Sequence, residues 1–381
     1  MYKKEYISDA MTTLLNMKDN SINVVLSVIT ILIILIVIFV YFYYSGSIFT
    51  DGMMERDCKN MDTNYGSLNG KIRSIDVTNE MYQYPLRDYY IKSAYNACSG
   101  GDYANSYVDT CILKNLLKQG VRGLDFEIYS IDDQPAVATS TSKNYYVKET
   151  FNSVPFSDVL NIIRDYAFAN STAPNPFDPI ILHLRIKSTN QKMYTNFAKL
   201  LEGNNNLLMD KKYSFEYYGK NFGSVKLSDM AGKIVIIVDR SNTSFMESDA
   251  FYEYVNMTSK SIFSRALNYY DIINTPDMEE LTGYNKLNMT IGMPDKGSDP
   301  QNPSSLTMRT YGIQMLSMRY QYIDTNVEEN DLFFNEEGHA FVLKPEKLRY
   351  IPETIEAPPA QDPELSFATR TISSDFYKFE I

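Results

Sequence analysis

The 381-residue chain has no tryptophan, only two histidines, three cysteines and a shortage of positive charge. Lysine and arginine number 36 against 47 aspartates and glutamates, a formal net charge of −11. No basic stripe is left to follow a phosphodiester backbone, which excludes nucleic acid as a partner. The same deficit disfavours docking on anionic lipid through a polybasic patch. Cys58, Cys98 and Cys111 have neither metal-ligand spacing nor the even number of a disulfide framework; one disulfide with a spare thiol is compatible, and none is demanded. With 44% hydrophobic and 22% charged residues the bulk of the chain reads as globular.

Long uncharged runs are also scarce, and one stands out. Val24 to Tyr44 continues for 21 residues without a charge. At about 1.5 Å per residue that reaches roughly 30 Å, the hydrocarbon thickness of a bilayer. Its tyrosine-rich end suits the headgroup region. The reading is a single-pass membrane protein: a polar tail over 1–23, a transmembrane helix over 24–44 and a juxtamembrane linker over 45–80. Lys3, Lys4 and Lys18 precede the run, whereas Arg56 and Lys59 follow it among Asp51, Glu55 and Asp57. That balance leans toward a cytoplasmic N-terminus and places the remainder lumenal, exterior or on a virion membrane.

The stretch Gly120-Val-Arg-Gly-Leu-Asp-Phe-Glu-Ile-Tyr129 is the most informative part of what is there. Side chains alternate along a strand, so Asp125 and Glu127 share one face while Leu124, Phe126 and Ile128 take the other. Two acids on one strand face mean a divalent-metal or acid/base site, or else a solvated face. The bracketing hydrophobics favour burial, where unpaired carboxylates cost several kcal/mol. Strand patterns recur at Tyr89–Tyr95, Gly123–Tyr129, Ala136–Ser140, Pro179–Ile186, Lys233–Asp239, Leu287–Met293 and Gly312–Tyr320. Between them, Tyr107–Gln119, Phe156–Phe168 and Gln191–Leu201 carry apolar residues at helical spacing. Regular alternation over 81–350 predicts an α/β fold, a (β/α)8 TIM-type barrel. Residues 351–381 read as a Pro-rich acidic linker and tail.

From Pro85 to Asn96 (PLRDYYIKSAYN) the chain resembles the opening of the catalytic barrel of eukaryotic phosphoinositide-specific phospholipase C. The resemblance continues through Gly120–Tyr129, Gln134–Thr139, Phe156–Ser171, Pro179–Arg185 and Gly232–Val238, an X half of about 85–240. A Y half of about 255–350 is similar at Tyr284-Asn-Lys286, Asn302-Pro303, Tyr311-Gly-Ile-Gln-Met315 and Gly338–Pro345. Membership implies calcium-dependent cleavage of phosphatidylinositol 4,5-bisphosphate through a cyclic inositol phosphate. It also implies two histidines for proton transfer, and an asparagine with three carboxylates for the ion.

Carried over by position, Asn96, Asp125 and Glu127 keep three metal ligands. The two histidine positions hold Tyr95 and Thr139, and the third carboxylate position holds Arg185. The family's phosphate-binding arginine falls near Ile291, and its lysines near Ile237 and Asp239. Positioned proton transfer contributes about 10² to 10⁴ in rate per group, and neither Tyr nor Thr titrates near neutrality unless strongly perturbed. Arg185 also changes the charge at an ion site from −1 to +1, so it is expected to reach Asp125 or Glu127 and replace the metal. His183 reads as a hydrogen-bonded core residue, and His339 as a surface residue. The expected function is therefore a membrane-anchored phospholipase C-like pseudoenzyme with a binding or structural role. It takes no cofactor, has an inositol phospholipid headgroup as a possible ligand, and its protein partner is unknown. The alternative is a divergent, active calcium-dependent phospholipase C or phosphodiesterase acting on a phosphoinositide or related lipid.

Overall fold

The computed structural model describes residues 25–41, 52–141, 147–297, 301–360 and 367–381. Eight parallel strands form its centre: β1 (Tyr89–Ala94), β2 (Gly123–Ile131), β3 (Ile180–Ile186), β4 (Ile234–Asp239), β5 (Met257–Ser259), β6 (Ser264–Asn268), β7 (Met289–Met293) and β8 (Met315–Met318). Each is hydrogen-bonded to the next in sequence from β1 to β5 and from β6 to β8, and β8 returns to β1. The ring is thus closed except at one seam between β5 and β6. Near-continuous apolar runs such as Ile180–Ile186 (IILHLRI) and Ile234–Asp239 (IVIIVD) make such strands because a parallel sheet is covered on both faces. β6, beside the seam, is the half-exposed exception.

The register sets which residues meet inside. Asp125 lies opposite His183, and Glu127 opposite Arg185. His183 in turn lies opposite Ile237, and Asp239 opposite Ser259. Ile91, Ile181, Val235, Ile237, Ile291 and Met315 belong to the inner core. Leu124, Phe126, Leu182 and Leu184 join the outer layer, where the helix Thr110–Lys118 contributes Leu113 and Leu116, and Gln191–Glu202 contributes Phe197. Both helices begin on a capping side chain, Asp109 and Asn190 respectively. A Cβ at Gly123 would collide with Ser93 Oγ, so glycine lets β2 lie against β1.

Three expectations change. The membrane anchor is overturned: the described helix covers 25–41, about 26 Å at ~1.5 Å per residue. No helix among the described residues is long and apolar enough to cross a membrane, so the single-pass localisation is withdrawn. The tail 1–23, Val24 and 42–51 lie outside the described residues. Second, the linker contains a helix over 52–65, and a disulfide from Cys58 to Cys111 ties it to Thr110–Lys118, leaving Cys98 as a buried free thiol. Third, the predicted strand Leu287–Met293 starts late, because Leu287 ends the helix Met278–Leu287. Residues Tyr350–Ile381 form a separate unit containing a small antiparallel hairpin, Thr371–Ser373 with Lys378–Glu380.

Candidate functional site

At the C-terminal ends of the strands the inward-facing polar residues converge on Arg185. This guanidinium is 6% exposed and donates to four oxygens: Asp125 Oδ2 from Nε at 2.9 Å, Asp125 Oδ1 and Asn96 Oδ1 from Nη2 at 2.6 and 2.7 Å, and Glu127 Oε1 from Nη1 at 2.5 Å. Its face rests 4.6 Å from the Tyr95 ring centroid, a cation–π contact. Glu127 is further held by Lys296 Nζ at 3.2 Å, the Tyr129 hydroxyl at 3.0 Å and the Ser140 amide at 3.1 Å. Burial by itself would raise both carboxyls, but Arg185, with His183 beside Asp125 and the lysines near Glu127, holds them below their usual range. Arg185 is correspondingly pinned as a cation: burial is the largest single influence and opposes its charge, but Asp125, Tyr95 and Glu127 together outweigh it.

A hydrogen-bonded chain leaves this cluster sideways. His183, fully buried, pairs through Nδ1 with Asp125 Oδ2 at 2.7 Å and through Nε2 with Ser259 Oγ at 2.9 Å. Ser259 Oγ then donates to Asp239 Oδ2 at 3.3 Å, and Lys260 Nζ lies 3.3 Å from the same oxygen. Above the chain a cavity of about 240 Å³ opens at the barrel mouth, lined by Arg185, Lys187, Asp239, Lys260, Asp271 and Lys296 among others. Burial pulls Lys187 down to about 8, with Glu127 opposing the shift, and burial also lowers Lys296.

Residues 82–240 match the family model of the phosphatidylinositol-specific phospholipase C X domain. This stretch belongs to that family. Among solved structures, L. pealei PLC21 aligns with a TM-score of 0.59 and 19% identity, over 73% of this chain and 39% of that one. S. officinalis PLC21 gives 0.57 and 17%, over 74% and 39%. The present chain therefore spans about two fifths of the length of either. A calcium-dependent phosphoinositol-specific phospholipase C from a Pseudomonas species gives 0.40 and 12%, over 66% and 94%, too slight a likeness to bear on the site. No curated protein matches the chain.

The X domain contributes β1 to β4 and with them Asn96, Asp125, Glu127, His183 and Arg185. The geometry does not fit a calcium ion. Every side-chain oxygen that Asn96 and Asp125 offer, and one from Glu127, already accepts from the guanidinium; the other Glu127 oxygen is taken by Tyr129 and Ser140. The buried Asn96 Nδ2 has no partner among the described residues, and an orphan donor calls for an acceptor, not for a cation. Asn96 holds this position with φ 47, a left-handed conformation that asparagine tolerates, while its own amide reaches Asp125 Oδ1 at 3.2 Å.

The other positions singled out in the sequence are spread between the mouth and the core. Tyr95 is buried beneath Arg185 and edge-on to Tyr103, with ring centroids 5.5 Å apart; burial raises its hydroxyl far from any neutral-pH proton transfer. Thr139 turns away from the carboxylates and donates to the Tyr103 carbonyl at 3.0 Å. Ile291 and Ile237 are core residues, whereas Asp239 lines the mouth. His339 is half-buried, with its ring 5.4 Å from that of Tyr82. Sequence reasoning missed Lys187, Lys260 and Lys296. Lys187 was within reach, two residues beyond Arg185 on the same alternation; the other two come from beyond residue 240, and only the closing of the ring brings them in.

Proposed function

We propose that this protein is a phospholipase C-like barrel that holds a phosphorylated polyol headgroup at its mouth without calcium-assisted cleavage, a pseudoenzyme of its family. The observation that carries this reading is the Arg185 cluster: a fixed cation takes the acceptors that a mobile ion would need. Exchanging it for calcium means leaving a guanidinium unpaired in a buried pocket, at several kcal/mol. Neither Tyr95 nor Thr139 supplies a proton-transfer group near neutrality.

Ligand chemistry follows from the charges at the mouth. Arg185, Lys187, Lys260 and Lys296 face Asp125, Glu127, Asp239 and Asp271, four against four. A balanced lining favours a molecule that brings both an anion and hydroxyls, with the lysines on the phosphate and Asp239 and Asp271 accepting from the ring, over a bare polyphosphate. The test uses the full chain in mixed micelles of phosphatidylinositol and of its 4,5-bisphosphate, with and without calcium. Expected are no released inositol phosphate from either lipid, and saturable binding of inositol monophosphate that weakens at least tenfold in Lys260→Ala/Lys296→Ala. Calcium-dependent turnover abolished by Asp125→Asn overturns the reading in favour of an active phospholipase C.

A further inference from the structure

A second cavity, of about 210 Å³, lies at the turn that joins β5 to β6 and shares no residue with the mouth. One wall of it has an improbable backbone. Phe215, Glu216, Tyr217 and Tyr218 have φ between 50° and 53°, a full left-handed turn made without glycine and completed by Gly219 at 75°. Such a conformation is strained for residues with a side chain and persists only where its surroundings over-determine it.

The strained turn puts specific groups into the cavity. The Phe215 ring stands 5.5 Å from that of Tyr252 at an interplanar angle of 80°, an edge-to-face pair whose two rings both line the cavity and make an aromatic corner. Glu216 lies beside them, its oxygens fixed by the Tyr252 hydroxyl at 2.8 Å and by Thr258 Oγ1 at 2.5 Å, while its amide is anchored on the Val255 carbonyl at 2.8 Å. At the rim Lys220 and Arg240 are exposed, and the Arg240 guanidinium has no hydrogen-bond or ion-pair partner among the described residues.

An aromatic corner backed by a fixed carboxylate is a receptor for an alkylated ammonium. One carboxylate is too few for a metal ion that seeks six to eight oxygens. A simple cation would meet Lys220 and Arg240 on the way in, so the occupant carries an anion at its other end. We propose that this cavity binds a phosphocholine-type zwitterion, with the quaternary ammonium against Phe215, Tyr252 and Glu216 and the phosphate on Arg240 and Lys220. The site stands whether or not the mouth holds a polyol.

The full chain is titrated with phosphocholine, choline chloride and inorganic phosphate by calorimetry. Phosphocholine is expected to saturate with a dissociation constant of roughly 1 mM or tighter, choline more weakly, and phosphate not at all. Glu216→Gln weakens both choline-bearing ligands about tenfold. Arg240→Ala, an exposed change that leaves the strained turn intact, weakens phosphocholine several-fold and leaves choline alone. Lys296→Ala at the mouth alters neither. Sedimentation with phosphatidylcholine vesicles separates the sources: pelleting that free phosphocholine competes away identifies a lipid headgroup, and binding of the free ligand without pelleting identifies a soluble one. The proposal is overturned by an absence of saturable phosphocholine binding, by Arg240→Ala affecting choline and phosphocholine alike, or by loss of binding in Lys296→Ala.

Discussion

The two ends of the barrel each bury an aspartate with an arginine, and the two pairs behave in opposite ways. At the mouth Asp125 receives a two-point contact from Arg185 and is held low despite complete burial. At the other end Asp178 is satisfied by neutral donors, the Ile75 amide at 2.7 Å and Asn175 Nδ2 at 2.7 Å. Arg122 there spends its hydrogen bonds on Asn175 and the Ala167 carbonyl. Burial then dominates, and Asp178 is pushed up to about 6 even though Arg122 pulls the other way. Burial disfavours charge in both places; direct contact with a guanidinium decides which carboxylate keeps it.

The largest effect expected from this contrast is at Arg185. Arg185→Met leaves Asp125 and Glu127 buried without a counter-charge and is expected to cost about 3–5 kcal/mol in urea unfolding. Neutralising all three groups together, Asp125→Asn/Glu127→Gln/Arg185→Met, recovers most of that loss. If the single change costs under about 1 kcal/mol, the cluster does not act as one electrostatic unit.

Next is the opposite sign at Asp178. Its folded carboxyl is raised above the unfolded value of about 4, so its contribution is fully present below pH ~4 and is lost as pH climbs through about 6. Asp178→Asn should therefore gain about 2 kcal/mol at pH 7 and almost nothing at pH 4. The mouth pair follows the reverse rule: Asp125 and Glu127 contribute above pH ~4 and lose that contribution as pH falls through their depressed values. Urea midpoints across pH 3 to 7 separate the two, since Asp178→Asn flattens only the upper slope.

Ser259→Ala comes third. It removes the His183 Nε2 partner and should cost about 1 kcal/mol while leaving the Arg185 contacts in place. Calcium is the smallest: addition is expected to leave the melting temperature unchanged, because a ligand that does not bind the folded site cannot stabilise it. A clear upward shift would show that the guanidinium yields its oxygens.

Much of the mouth could be read from the chain because strand alternation is local. Asp125 with Glu127, and His183 with Arg185, each needed only a two-residue spacing, and one register joined them. β5 and β6 escaped notice because Met-Thr-Ser and Ser-Arg-Ala-Leu-Asn lack an apolar run; both are strands through neighbours that tertiary structure supplies. The left-handed turn at Phe215–Tyr218 contains no glycine to announce it. The uncharged run 24–44 misled for a different reason. Its uncharged length and tyrosine-rich end match a bilayer on paper, yet no helix among the described residues is long and apolar enough to cross a membrane.

The Cys58–Cys111 bond has a mechanical consequence. Tension applied to the chain ahead of residue 58 passes through sulfur directly into the helix Thr110–Lys118, bypassing everything from 59 to 110, β1 included. An oxidised molecule can be tugged from that side while its first strand bears no load. A reduced one would transmit the same pull straight into the ring.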